Sequence, residues 1–68
     1  MKLVYLGSDG TGETYINPHY IIDVYVGGLD GFITVSTSLN EAYSVYGANG
    51  KKRKDLKEFI KEVEASFK

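Results

Sequence analysis

Ile21-Ile22-Asp23-Val24-Tyr25-Val26, the loop Gly27-Gly28-Leu29-Asp30-Gly31, and Phe32-Ile33-Thr34-Val35-Ser36-Thr37 together decide the fold. Both flanking runs are β-branched and aromatic and alternate in polarity, and a glycine-bearing loop of this length joins antiparallel neighbours. Alternation sets Ile22, Val24 and Val26 on one face, with Ile21, Asp23 and Tyr25 on the other. In the partner strand Ile33 and Val35 face inward. The single charge, Asp23, marks the outer side.

Strand patterns extend on either side of this hairpin. Leu3 to Leu6 is a short apolar run that stops at Gly7-Ser8-Asp9-Gly10-Thr11-Gly12, a turn-forming stretch, and Glu13 to Ile16 resumes a strand before Asn17-Pro18 interrupts it. Ala42 to Tyr46 reads as a last strand, although Leu39, Ala42 and Tyr43 also fit a helical spacing from Asn40. From about Lys52 to Phe67 the period changes. Leu56, Phe59, Ile60, Val63 and Phe67 form one helical stripe, and Lys57, Glu58, Lys61, Glu62 and Glu64 form a charged opposite side. Lys54 with Glu58 and Lys61 with Glu64 are the expected intrahelical pairs. The expected fold is α+β: an antiparallel β-meander of four to five strands over residues 1–50, with one C-terminal α-helix over residues 51–68 packed on one face. Its core is Val4, Leu6, Ile16, Ile22, Val24, Val26, Ile33, Val35 and Val45.

Sixty-eight residues make a single domain with a thin stability margin, and without cysteine neither a disulfide nor a thiolate metal site reinforces it. A composition that is 43% hydrophobic and 25% charged fits a folded globular chain. The net charge of −1 supplies no global attraction to nucleic acid or an anionic membrane, so any such attraction is local. Met1 to Leu6 is too short for a signal-peptide core or a membrane span, which with the lack of cysteine gives a cytoplasmic expectation.

One helix covers one side of a sheet, which leaves Tyr5, Tyr25, Phe32 and Tyr46 on the other without intramolecular cover. Exposed tyrosines suit contact surfaces because they are large, amphipathic and poor in rotamers, though they also occur on solvated strand faces through cross-strand packing. Lys51-Lys52-Arg53-Lys54 places four cations at the helix entrance, against the positive end of its dipole, with Asp55 as partial compensation. These eight residues are the candidate partner-binding set. The partner expected is another protein or a second copy of the chain. Single-stranded nucleic acid, stacking on the aromatics and held by the cations, is the alternative.

Catalytic signals are weak. Gly7 to Gly12 lacks the Gly-Lys-Ser/Thr ending of a phosphate-binding loop and precedes a strand instead of a helix. His19 is the sole histidine and has no partner at a recognised spacing, while Asp9, Asp30 and Glu41 are single acids in separate loops. The expectation is a non-enzymatic binding module, a regulator or inhibitor, with no cofactor, metal, membrane or small-molecule substrate.

The order of short strand, glycine-rich turn, Tyr15-Ile16-Asn17-Pro18 with Ile21 and Val24, then Ile33-Thr34-Val35, Tyr43-Ser44-Val45 and Phe59-Ile60-Lys61-Glu62-Val63, resembles the small flagellar FlbD family. The resemblance implies a non-catalytic protein. The Gly27–Gly31 loop and the Gly47–Lys54 stretch depart from that family's more compact pattern. A meander this short also resembles many phage-encoded proteins that modulate their hosts.

Overall fold

The computed structural model describes every residue except Gly28 and Leu29, so that part of the expected Gly27–Gly31 loop lies outside the described residues. Its ends are fixed. The Gly27 N–H donates to the Phe32 carbonyl (2.7 Å) and the Gly31 N–H to the Gly27 carbonyl (3.1 Å).

The architecture is α+β, with five antiparallel strands and one C-terminal helix packed against them. The strands fall into two sheets. β1 (Val4–Ser8) pairs with β2 (Glu13–Ile16), and β3 (Ile21–Val26), β4 (Ile33–Thr37) and β5 (Ala42–Ser44) form the second sheet in that order. A 3-10 turn, Pro18–Tyr20, connects the sheets, and Asn17 starts it by accepting the His19 N–H on its side chain. β5 forms as a strand, so the helical reading of the stretch from Asn40 is not what the chain adopts.

The two sheets also meet where the Tyr46 N–H donates to the Leu6 carbonyl (2.7 Å). Gly7 permits that approach. Its φ is +90°, and a Cβ built there would lie 1.9 Å from the Tyr46 carbonyl oxygen. Gly7 thus lies within β1, paired with Thr14, where the sequence suggests the start of a loop.

Val4, Leu6, Ile33, Val35, Val45 and Phe59 are the buried core, with Ile16, Ile21, Val24, Tyr43, Leu56 and Val63 packed around them. Ile22 and Val26 correct the sequence reading, being 62% and 42% exposed. At Ile22 the cause is register. Ile21 faces Thr37 and Asp23 faces Ser36, so β3 carries one extra residue. A bulge of that kind reverses the alternation beyond it, turning Ile21 in and Ile22 out. Val26 ends an edge strand, with a neighbour on one side only.

The helix α1 runs from Leu56 to Ser66 and lies against β1 and β3. Phe59 is fully buried, whereas Phe67 is 48% exposed and meets the His19 ring edge-on at 5.1 Å. Lys61 pairs with Glu58 (3.6 Å) instead of Glu64. Lys52 to Asp55 lie outside the helix, which corrects the expected start at Lys52. The chain first turns back on itself. Tyr46 bridges Lys52, the Gly47 N–H reaches the Lys51 carbonyl (2.8 Å), and Gly50 holds φ +78° in the turn. Asn49-Gly50 is a strong hairpin signal that accounts for this reversal.

Candidate functional site

The turn at residues 46–52 carries the basic run to the outside of the sheet junction. There a shallow concavity of about 640 Å³ is lined by Tyr5, Tyr46 and the turn residues Gly47, Ala48 and Asn49, together with Lys51, Lys52 and Arg53. Tyr5 comes from β1, and Tyr46, half-buried, follows buried Val45 two residues beyond the end of β5, where it bridges Lys52. The junction that Gly7 allows is therefore what brings these rings to one groove.

The flanking contacts fix the walls. Tyr5 packs on Tyr15 with ring centroids 5.0 Å apart, and its hydroxyl donates to Glu13 (3.3 Å). Partial desolvation, followed by the charge and hydrogen bond of Glu13, pushes the Tyr5 phenol above its ordinary value. Phe32 is half-buried just before β4, with the ammonium groups of Lys52 and Lys54 over its ring at 5.6 and 5.0 Å.

Arg53 has a different role from its neighbours. Its Nε and Nη2 donate to Asp55 at 2.9 and 2.6 Å, and its Nη1 and Nη2 donate to Glu62 at 3.1 and 2.7 Å. The guanidinium also lies 5.5 Å from the Phe59 ring. A planar fork satisfied on two sides by carboxylates clamps the turn to the helix. Hydrogen bonds from both acids, Asp55 first, push the guanidinium further above its already high value, and Arg53 holds the Asp55 carboxyl below its usual one. This occupation leaves the helix N-cap residue Asp55 without a side-chain cap hydrogen bond. Arg53 is thereby set apart from the three lysines beside it in the candidate set. Its side chain is 18% exposed and committed to the fold.

The structure brings Tyr5, Tyr46, Lys51, Lys52 and Arg53 to one groove, and Phe32 and Lys54 are tied to it through Lys52. Tyr25 stands apart. It is 45% exposed on the outer face of the second sheet, opposite Thr34, which in turn faces Ser44. None of the four aromatics belongs to the core beneath the helix. Gly47, Ala48 and Asn49 are the lining residues that the sequence reading left out, and the Asn49-Gly50 turn signal was the clue.

The isolated acids make local bonds. Asp9 accepts the Thr11 N–H and hydroxyl, which hold its carboxyl below the ordinary value, and the Tyr43 hydroxyl donates to Glu41 (2.8 Å). Among the described residues no group of three or more acidic, histidine or cysteine side chains is placed to hold a metal. Among them, too, no helix is long and apolar enough to cross a membrane. Comparisons of the chain with protein-family models, curated proteins and solved structures found no match.

Proposed function

We propose that this chain is a non-enzymatic protein-binding module whose contact surface is the groove between Tyr5 and Tyr46, bordered by Lys51, Lys52 and the Phe32–Lys54 pair. The observation that carries this reading is the convergence of two half-buried aromatic rings, Tyr5 from β1 and Tyr46 from the segment after β5, on a concave surface flanked by lysines. Burying such rings supplies association energy at roughly 25 cal/mol per Å², and their few rotamers keep the ordering cost low. A module that binds without chemistry acts by occupancy, as a regulator or inhibitor of its partner.

Single-stranded nucleic acid is the weaker reading. Base stacking needs open ring faces, whereas Phe32 is covered by two ammonium groups and Tyr5 packs on Tyr15. Affinity capture from a lysate tests the main reading by comparing the native chain with Tyr5→Ser and Tyr25→Ser. Tyr5→Ser is expected to lose a protein that Tyr25→Ser retains, with far-ultraviolet circular dichroism unchanged in both. Equal capture by all three would overturn the groove assignment.

A further inference from the structure

We infer that the groove takes an acidic, extended segment of its protein partner, an inference that rests on the binding-module reading and specifies the chemistry it recognises. The argument is one of charge left over after the fold is satisfied. Asp55 and Glu62 are occupied by Arg53, and Glu58 by Lys61. Among the described residues Lys51, Lys52 and Lys54 have no ion-pair partner, and all are exposed. On a chain of net charge −1 this concentrates cations at one side of the groove, where Lys51 and Lys52 line it and Lys54 adjoins through the Phe32 ring. Such a cluster steers acidic partners and rejects basic ones.

The cluster is also ordered. Phe32 gathers Lys52 and Lys54 on one ring, and the Arg53 clamp fixes the backbone between them, so less side-chain freedom remains to be lost on binding. The backbone favours an extended ligand. Lys52 sits in a bridge to Tyr46 whose flanking bonds are Gly47 N–H to Lys51 and Arg53 N–H to Val45, so its own N–H and carbonyl point away from that neighbour. No other backbone group among the described residues bonds to them. An acidic strand paired on that free edge of Lys52 finds a backbone donor, a backbone acceptor and the exposed ammonium groups of the basic run.

The test measures fluorescence anisotropy with a short peptide alternating glutamate with leucine, its glutamine counterpart, and oligothymidylate. The full chain is expected to bind the glutamate peptide about tenfold more tightly than the glutamine one at low salt, with the difference shrinking as salt rises. The combined Lys51→Glu, Lys52→Glu and Lys54→Glu variant is expected to abolish that preference with circular dichroism unchanged. Equal binding of both peptides, no binding of either, tighter binding of oligothymidylate, or indifference to the triple variant would each overturn the inference. Failure here is separable from failure of the groove itself. If a captured protein is lost by Tyr5→Ser but kept by the triple variant, the groove stands and only its acidic preference falls.

Discussion

Gly7 and Gly50 share a positive φ but are held there for different reasons, and alanine substitution separates them. At Gly50 the space for a Cβ is open, the nearest heavy atom being the Ser8 carbonyl oxygen at 3.9 Å, so Gly50→Ala costs only backbone strain, about 1 kcal/mol. At Gly7 the new methyl would overlap the Tyr46 carbonyl, a backbone atom that cannot move without breaking the junction between the sheets. Gly7→Ala is expected to cost about 3 kcal/mol or more, a large share of a small domain's stability. Urea unfolding of both variants checks this. Equal midpoints would mean that the sheets do not depend on that contact. Part of this was readable in advance, since glycine followed by Ser-Asp-Gly signals a turn, but the approach of Tyr46 is a long-range event with no local signature.

The edge strand β3 shows how far strand reading reaches. Its existence, direction and pairing follow from β-branched alternation, and the helix follows from the stripe through Leu56, Phe59, Ile60 and Val63. Its phase does not follow, because one extra residue at Ile22 leaves the composition of the run unchanged while exchanging the faces of Ile21 and Ile22. The two isoleucines therefore make a controlled pair. Ile21→Ala removes a side chain packed on the core and is expected to cost roughly 1–2 kcal/mol, whereas Ile22→Ala is expected to stay within about 0.5 kcal/mol. Equilibrium denaturation measures both, and the reverse order would restore unbroken alternation. The basic run was misplaced for a related reason. Lys51 to Lys54 adjoin a strong helical stripe and read as its first turn, yet Asn49-Gly50 reverses the chain and the Tyr46 bridge claims Lys52 first. Local pattern named the candidate aromatics and cations, while the split between inward Arg53 and its outward neighbours was set by where the helix brings Glu62.

Across the whole molecule, extending 30 × 23 × 23 Å, the Arg53 clamp joins the turn after the second sheet to both the start and the middle of the helix. That connection makes stability depend on pH in a direction that can be worked out. Arg53 lowers the Asp55 carboxyl below its ordinary value of 3.8, so the folded chain binds this proton less readily than the unfolded chain. Stability from the pair is then complete above about pH 4 and is lost as pH falls through the interval below 3.8. On the alkaline side Tyr5 and Tyr43 are raised above 10.0, the first chiefly by desolvation and the second by its hydrogen bond to Glu41. The folded chain therefore keeps those phenolic protons longer, and stability falls as pH rises past 10.0. Because the carboxylates of the clamp are partly exposed, its contribution is screened and amounts to about 1 kcal/mol. Thermal unfolding of the native chain and Arg53→Ala between pH 7 and pH 2.5 isolates it. The variant is expected to melt lower at neutral pH, with the gap narrowing as Asp55 is protonated. Arg53→Lys is expected to recover only part of the difference, since an ammonium cannot reproduce the fork to two carboxylates. A gap that stayed constant down to pH 2.5 would assign Arg53's contribution to its packing on Phe59 instead of its charge.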